Sequence, residues 1–257
     1  MSLSTAAREY LLAFADDEHM IGARHTSWIG LGPFLEEDLA FCSIAQDELG
    51  HAIGLYELLL DDAGTDRAQL DAFALQRSPE DYRSCWLAEL ECSQWSASLV
   101  RHWLYDRAEN VRWAALETCT DPTVAAIASR AQREEAFHLE HAEQFMSRIS
   151  MSQQSGHIVE SIERLLPVAH GLFDPVSTEP ELLAEGFVSS ASADLAAQWR
   201  DAIASDLRRW GLDVDIDEHE HESQSDLQQH RLVRSPGFGD LQADLLKVIT
   251  LDPIAIW

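Results

Sequence analysis

Two short stretches decide the fold that this sequence predicts, Gln46-Asp47-Glu48-Leu49-Gly50-His51 and Arg133-Glu134-Glu135-Ala136-Phe137-His138. In each stretch a glutamate precedes a histidine by three positions, so both side chains lie on one face of a helix. Apolar residues recur on that face, which therefore points towards a core. Burying ionisable side chains is costly unless something compensates them, and a metal ion does so directly. The pairs Glu48/His51 and Glu135/His138 are therefore predicted to be metal ligands in the interior.

The surrounding pattern predicts four long helices within the first 150 residues. They run from about Thr5 to Trp28, Phe34 to Leu60, Gln94 to Glu117 and Thr123 to Ile149. Asp121-Pro122 supplies a capping residue and a first-turn proline in front of the fourth helix. One long connection between two short ones is typical of a ferritin-like four-helix bundle. A single Glu-x-x-His pair is a weak signal, but two pairs in such a bundle indicate a carboxylate-bridged two-metal site.

A site of this kind needs one carboxylate from each of the two remaining helices. Counting equal distances from the interhelical turns predicts Glu18 in the first helix and Glu109 in the third. Asp106, one turn before Glu109 on the same face, is the alternative ligand from the third helix. Carboxylate and imidazole ligands suit iron, with manganese as the alternative, at two ions per chain.

His25 and His102 lie near the predicted bundle interior without belonging to either pair. They are candidates for side chains that contact the metal ligands, rather than the metal, and hold those ligands in position. The alternative is that they are core histidines whose hydrogen bonds are satisfied locally, and the sequence favours this second interpretation. His141, one turn after the second pair, is expected to be peripheral.

Residues 151–257 are predicted to form a C-terminal helical extension packed on the bundle of residues 1–150, in an all-α protein that is one domain overall. Its helices are expected at Ile158 to Phe173, Ser192 to Trp210 and Gly239 to Ile249, with an irregular acidic segment from Asp213 to Gln229. Asp217-Glu-His-Glu-His221 within that segment has metal-ligand residue types, but a solvated acidic loop is the simpler interpretation.

The composition is that of a globular protein of 257 residues with a formal net charge of −27. So acidic a surface repels phosphate, which argues against nucleic acid and anionic membranes as partners. The four cysteines form no Cys-x-x-Cys pair, which indicates reduced thiols in the cytosol. Neither a signal peptide nor a run of about 18 apolar residues is recognisable. We therefore expect a cytoplasmic protein without membrane contacts.

Several stretches resemble the phenylacetate catabolic proteins, the ferritin-like subunits of the bacterial phenylacetyl-CoA epoxidase. The resemblance is carried by Trp28-Ile-Gly-Leu-Gly-Pro-Phe-Leu-Glu-Glu-Asp-Leu-Ala40, Asp47-Glu-Leu-Gly-His-Ala52, Thr120-Asp-Pro122 and Glu134-Glu-Ala-Phe-His-Leu139. The layout is similar to the C subunit, which in this family is a structural partner that lacks several metal ligands. The ligand-type residues kept here are instead similar to those of the catalytic A subunit; they are Glu18, Glu48, His51, Glu135 and His138.

The resemblance implies a di-iron oxygenase component that epoxidises the ring of phenylacetyl-CoA with dioxygen and electrons from a separate reductase. It assigns metal bridging to Glu48 and Glu135. It also implies a sister ferritin-like subunit, or a second copy of the same chain, as partner, and an acyl-CoA as substrate. Two alternatives remain, a structural partner subunit with an empty site and a stand-alone ferritin-like oxidase or metal-handling protein. Candidate contacts for the CoA phosphates are Arg24, Arg101, Arg130 and Arg133.

Overall fold

The computed structural model describes residues 3–60, 66–216 and 231–252. Within these ranges the chain is helical and contains no strand, which confirms the all-α class predicted from the sequence. The Asp217–His221 stretch and most of the acidic segment lie outside the described residues. None of the helices in these ranges combines the length and apolar character that crossing a membrane requires.

Four of the helices are long, and shorter ones follow or connect them. In chain order they are α1 Thr5–Thr26, α2 Leu35–Leu59, α3 Arg67–Leu75, α4 Trp86–Glu89, α5 Trp95–Glu117, α6 Pro122–Ser150, α7 Ser155–Ala169, α8 Glu179–Ala184, α9 Ser192–Trp210 and α10 Phe238–Leu251. The four long helices α1, α2, α5 and α6 match the predicted spans within two residues at each end. Their connections are one long crossover, residues 60–94, between two short turns.

Local signals explain where the long helices begin. The Ser4 hydroxyl accepts a hydrogen bond from the Ala7 amide at the start of α1. The Asp121 carboxylate accepts from the Thr123 and Val124 amides, and Pro122 takes the first position of α6. Gly30 turns the chain between α1 and α2 with φ of 84°, a left-handed conformation that glycine adopts readily.

Side-chain contacts order the four long helices around the bundle as α1, α2, α6 and α5. In each neighbouring pair, residue numbers rise along one helix as they fall along the other, so every helix is antiparallel to both of its neighbours. α1 packs mainly on α2, and α5 packs mainly on α6. This is the ferritin-like bundle predicted from the connection lengths.

The apolar interior is divided into two cores at different heights of the bundle. The first core contains residues 6–15 of α1 and 124–131 of α6. The second core begins at Met20 in α1 and at Ala142 in α6, and it extends into α7, α9 and α10. Between them lies a layer of buried polar side chains from all four long helices, which holds the candidate site.

Two helices after residue 150 pack on the outside of α5, whereas α8 contacts α1 and α10 contacts α3. α7 and α9 cover α5, and the Trp199 indole donates a hydrogen bond to the Leu104 carbonyl at 3.0 Å. Asp206 accepts hydrogen bonds from Trp103 and Arg107 of α5. The buried Arg231 pairs with Asp17 of α1 at 2.9 Å. The division into residues 1–150 and 151–257 stays a prediction.

The first helix after the bundle differs from the prediction at both ends. α7 begins at Ser155 rather than at Ile158, and it ends at Ala169 rather than at Phe173. Pro167 lies inside α7 and lacks the amide that would donate to the preceding turn. Residues His170–Phe173 continue as a short 3-10 turn.

Candidate metal centre

The structure brings the six predicted ligands together in the polar layer, and it adds Asp106 to them. Every carboxylate of this group is fully buried, and His51 and His138 are 4% and 3% exposed. The residues are Glu18 from α1, Glu48 and His51 from α2, Asp106 and Glu109 from α5, and Glu135 and His138 from α6. We call these seven side chains the carboxylate cluster. Glu109 and Asp106 were predicted as alternatives, whereas both lie in the cluster.

The cluster contains three overlapping groups that are each compact enough for one ion. Ligand atoms of Glu18, Glu48, His51 and Glu109 all lie within 4.8 Å of one another, and so do those of Glu48, Glu135 and His138 and those of Glu48, Asp106, Glu109 and Glu135. Glu48 belongs to all three groups. A carboxylate shared by two sites is the arrangement in which one side chain bridges two metals.

Glu48 faces the two histidines with different oxygens. Its Oε2 lies 3.7 Å from His51 Nδ1, and its Oε1 lies 3.6 Å from His138 Nδ1. Glu135 Oε1 also lies between the rings, 3.6 Å from His51 Nδ1 and 3.2 Å from His138 Nδ1. Both glutamates are therefore positioned for the bridging role that the family resemblance implies.

Several cluster atoms have no hydrogen-bond partner within the described chain. These buried atoms are both carboxylate oxygens of Glu48, Asp106 and Glu135, the Oε2 of Glu109 and the Nδ1 of His138. Leaving one buried polar group unpaired costs about 1–3 kcal/mol, and here eight such atoms face a common centre. Bound cations would satisfy them together, so the donor set fits a pair of hard or borderline metal ions.

Protonation in the cluster reflects its excess of negative charge. Burial opposes a charged ring at His51, but the Glu18 and Glu48 carboxylates outweigh it and raise the pKa of His51 to about 11. Burial likewise opposes charge at His138, yet Glu135 and Asp47 raise its pKa well above the usual value. Burial, followed by the charge of Glu135, raises the pKa of both Asp106 and Glu109. In the metal-free protein, protons therefore occupy places where cations would otherwise balance the charge.

The charge of the cluster matches two divalent ions. Its four glutamates carry four negative charges when ionised, and two divalent ions bring four positive charges. An ionised Asp106 would add one negative charge that nothing in this count neutralises. Transferring an unbalanced ion into a low-dielectric interior costs on the order of 20 kcal/mol by idealised solvation energies. Ligand atoms of Asp106 also lie within 4.8 Å of those of Glu48, Glu109 and Glu135, so Asp106 is itself a candidate ligand.

Each histidine of the cluster contacts a carboxylate of the neighbouring helix through Nε2, the ring nitrogen that faces away from the cluster. His51 Nε2 lies 2.9 Å from Glu134 of α6, and His138 Nε2 lies 3.2 Å from Asp47 of α2. Both contacts leave Nδ1 directed at the cluster. Metal-binding histidines commonly have such a carboxylate on the outer nitrogen, which fixes the ring and its tautomer.

The arrangement is reciprocal, since each acid directly precedes the glutamate of its own pair and contacts the histidine of the other. Neither Asp47 nor Glu134 was predicted to have a role in the site. The repeated acid before each Glu-x-x-His was the available signal.

Two aromatic residues of α5 also contact cluster carboxylates. The Tyr105 hydroxyl donates to Glu18 Oε1 at 2.9 Å, and the Trp113 indole donates to Glu109 Oε1 at 3.3 Å. These bonds orient the ligands from α1 and α5 from within the cores. Neither contact was predicted, because a tyrosine or tryptophan on an inward helix face is ordinarily core filling.

His25 and His102 lie next to the cluster in a second group of buried rings. Burial lowers the pKa of His25 well below the usual value and that of His102 to about 3, so both rings are neutral. His102 Nδ1 lies 3.0 Å from Asp106 Oδ1, although neither atom forms a hydrogen bond with a described residue. His25 packs edge-on against the rings of Phe41 and His102, and neither of its nitrogens has a hydrogen-bond partner among the described residues. Both interpretations of His25, as a support for the ligands and as a core histidine, stay predictions.

The arginines considered for an acyl-CoA do not form one surface patch. Arg24 and Arg101 are buried, at 8% and 1% exposure, and bond to backbone carbonyls of Glu89 and Leu90. Arg130 is exposed and pairs with Glu134 at 3.0 Å. Burial removes Arg24 and Arg101 from the candidates for phosphate contacts.

Comparison with known proteins agrees with the sequence motifs. The family model described as phenylacetic acid catabolic protein matches residues 2–244. The chain is also 25% identical over 207 residues to the C subunit of the 1,2-phenylacetyl-CoA epoxidase of Escherichia coli (strain K12), covering 80% of this chain and 82% of that protein. These matches confirm the resemblance inferred from the motifs. The chain belongs to the family of phenylacetic acid catabolic proteins.

Proposed function

We propose that this chain is the metal-bearing subunit of a di-iron monooxygenase similar to phenylacetyl-CoA epoxidase. One observation carries the proposal, namely a buried cluster in which Glu48 is shared among three compact ligand groups and eight polar atoms lack a partner within the described chain. Iron is the expected metal at two ions per chain, with manganese as the alternative. The family match supports a role in phenylacetate catabolism.

The proposed ligands form two sets, one for each ion. Glu18, His51 and Glu109 would bind one ion, Glu135 and His138 the other, and Glu48 and Glu135 would bridge them. Asp47 and Glu134 hold the imidazole rings, so that both Nδ1 atoms stay directed inwards. Bound in the ferrous state, the metal pair would supply electrons that activate dioxygen. The apolar cores on both sides keep bulk water away from this layer.

The same family suggests the partners of such a protein. The relative from Escherichia coli is one subunit of an epoxidase, so a sister ferritin-like chain or a second copy of this chain is the proposed partner. A separate reductase would return the electrons, and an acyl-CoA would be the substrate. We propose that this enzyme is cytoplasmic.

A second candidate function is a structural subunit that stabilises a catalytic sister chain without binding metal. The observation in its favour is the match to the C subunit of the epoxidase, to whose layout the sequence is also similar. The cluster argues against it, because a scaffold has no need to retain buried unpaired carboxylates.

Metal analysis of protein expressed with added iron separates these functions. We expect two irons per chain in the wild type and a loss of both in Glu48→Ala, because the shared ligand is removed. Glu36→Ala, an exposed glutamate in the first turn of the same helix, is the matched control and should keep both ions. Wild-type protein that is free of metal, and unchanged by Glu48→Ala, would overturn the proposal in favour of the structural role.

A turnover assay then tests the reaction. Iron-loaded protein mixed with a sister subunit and a reductase should consume dioxygen when phenylacetyl-CoA is added. Oxidation of added ferrous iron without reductase or CoA ester would instead identify a stand-alone oxidase.

A further inference from the structure

Between Glu36 and Glu57, the exposed residues of α2 are all uncharged, on a chain whose formal net charge is −27. They continue a line that begins at the exposed Leu35 and includes the half-buried Cys42. Successive members of this line are three or four positions apart, which places them on one face of the helix. We call this face the neutral stripe; it consists of Leu35, Leu39, Cys42, Gln46, Gly50 and Ile53.

The acids of α2 avoid the neutral stripe. Glu37 and Glu48 are buried, and Asp47 bonds to α6. Asp38 accepts a hydrogen bond from the turn before the helix. Repulsion between acidic surfaces keeps copies of a strongly charged protein apart. The neutral stripe is therefore the part of α2 where close contact with another acidic chain costs least.

Exposed apolar side chains favour covering the neutral stripe. Leu35 and Leu39 are 69% and 64% exposed, and Ile53 is 40% exposed. Phe34, directly before the helix, is 62% exposed and extends the apolar surface beyond the N-terminus of α2. Contiguous apolar surface of this kind is typical of a contact with another protein.

Among the four long helices, all of which the structure describes in full, α2 alone has such a face. Other parts of the chain cover α1 and α5 along most of their length. α6 has a solvent-facing side, but exposed charges run along it, namely Arg130, Arg133, Glu140 and Arg148. A partner that packs on the bundle without burying unpaired charge therefore fits α2.

The residue types of the neutral stripe are symmetric about Gln46. Four positions to either side lie Cys42 and Gly50, and seven positions to either side lie Leu39 and Ile53. The spacing of a face reads the same in both directions on any helix. The match of small residues with small ones, and of branched apolar residues with branched apolar ones, is particular to this face. An antiparallel copy of α2 therefore offers it the same order of side-chain types.

We propose that the neutral stripe is the contact surface of a symmetric homodimer, in which α2 packs antiparallel on α2 of a second copy around a two-fold axis at Gln46. A two-fold contact uses the same surface of both chains, so that surface must be complementary to itself. Leu39 of each copy would pack on Ile53 of the other. Cys42 would face Gly50, where a methyl group would meet nothing within 4 Å of its own chain, so there is room for the thiol.

The two Gln46 side chains would meet on the axis. A glutamine amide carries both donors and an acceptor, so two of them can form reciprocal hydrogen bonds without any charge. One polar residue within an otherwise apolar contact between helices fixes the register, because sliding the helices would leave the polar groups unpaired. The contact thus has one favoured alignment.

Of the two partners suggested above, this surface fits the second copy of the chain. The neutral stripe faces away from the carboxylate cluster, so the contact needs no metal. The inference is therefore independent of the proposed function, and it adds to that function the surface through which two such chains would associate.

Sedimentation of the purified full chain tests the dimer. We expect the wild type to be dimeric at micromolar concentration, both metal-free and iron-loaded. Leu39→Glu places a carboxylate in the contact at two symmetric points, which should weaken the dimer about a hundredfold or more. Phe137→Glu adds the same charge at a side chain of α6 that is 73% exposed, and should leave the dimer intact.

Both substitutions change exposed side chains, so circular dichroism should show unchanged helix content. A monomeric wild type would overturn the proposal and leave the neutral stripe to a different partner. A Leu39→Glu protein that dimerises as tightly as the wild type would overturn it as well.

Disulfide trapping tests the axis, in a Cys42→Ser background that removes the nearby native thiol. Gln46→Cys should form a cross-linked dimer on mild oxidation, because the two positions face each other. Leu39→Cys alone should not, since its two copies would lie about 21 Å apart along the helices. Mixed with Ile53→Cys protein, it should cross-link to that partner. Cross-linking of Leu39→Cys to itself, or none at position 46, would overturn the antiparallel arrangement.

Salt distinguishes this contact from one made by ion pairs. Screening lessens the repulsion between two acidic chains, so a higher sodium chloride concentration should tighten the dimer. Weaker dimerisation in salt would overturn the uncharged contact. A dimer that binds no iron would overturn the proposed function alone, and an iron-loaded monomer would overturn this inference alone.

Discussion

At the scale of single residues, the carboxylate cluster couples metal binding to protons. The pKa of His51 is raised to about 11 by Glu18 and Glu48 against the effect of burial, so its ring is protonated at neutral pH without metal. A metal ion must displace that proton. We expect the affinity for ferrous or manganous ion to rise with pH and protons to be released on binding. Calorimetry in buffers of different ionisation enthalpy measures this release, and a pH-independent affinity would contradict it.

Asp47 and Glu134, the carboxylates that contact the cluster histidines, should affect the affinity for metal although they would not bind the ions themselves. Asp47→Asn and Glu134→Gln each weaken the hold on one imidazole ring, and we expect about 10–100-fold weaker metal binding in each variant. Competition with a coloured chelator measures the affinity. Glu140→Gln changes an exposed carboxylate of α6 that bonds only to Gln144 among the described residues, so it should leave the affinity unchanged.

Residue spacing predicted the cluster well because helix geometry alone determines which side chains share a face. Glu18 and Glu109 were predicted by counting residues from the interhelical turns. In antiparallel helices of similar length, residues equally far from the connecting turn lie at the same height in the bundle. The contacts of Glu134 and Asp47 could not be predicted in this way, because they depend on the rotation and separation of two different helices. Asp106 and Glu109 were treated as exclusive, whereas the space between four helices admits both.

At the scale of helices, the close approach of α1 and α2 is set at Gly22. A methyl group added there would lie 3.0 Å from Leu49 Cγ and 3.1 Å from Glu48 Cβ. The variant Gly22→Ala must therefore push α2 outwards at the height of the cluster. We expect a loss of about 1–3 kcal/mol of unfolding free energy, measured by urea denaturation, together with weaker metal binding.

The control for this prediction lies on the opposite helix. Gly50 is exposed on α2, and a methyl group added there would meet nothing within 4 Å. The variant Gly50→Ala should raise the unfolding free energy by about 0.5–1 kcal/mol, because alanine restricts the unfolded chain and favours the helix. Equal effects of the two substitutions would show that α1 and α2 are not in tight contact at Gly22.

Helix spans were predictable where capping and breaking residues mark them, and less so elsewhere. Asp121-Pro122 marks the start of α6 in the sequence, and the structure begins the helix at Pro122. α7 has no side-chain cap at its N-terminus, and its early start at Ser155 was missed for that reason. α7 packs mainly on α5, and the sequence carries no local signal for such packing.

At the scale of the whole molecule, buried ion pairs attach the distant part of the chain to the bundle. Arg231 donates to Asp17 of α1 and to the carbonyls of Arg83 and Leu172. Asp17 also pairs with Arg112, and it directly precedes the ligand Glu18. Removing one partner of a buried pair leaves an uncompensated charge. We expect Arg231→Leu to cost about 3–5 kcal/mol of unfolding free energy, as measured by urea denaturation.

An exposed ion pair provides the comparison for Arg231. Arg67 pairs with Asp71 along α3 while its side chain is 71% exposed, so water screens the interaction. Arg67→Leu should change the unfolding free energy by no more than about 0.5 kcal/mol. Similar losses in both variants would mean that Asp17 finds another partner once Arg231 is gone.

The polar layer between the two apolar cores has a consequence for how the protein melts. Two cores separated by groups that repel one another have little reason to lose their structure together. Ions held in that layer would connect all four helices at one height and link the two halves. The metal-free chain should therefore unfold in separate steps. The metal-loaded chain should unfold in a single cooperative transition, because the bound ions couple the two cores.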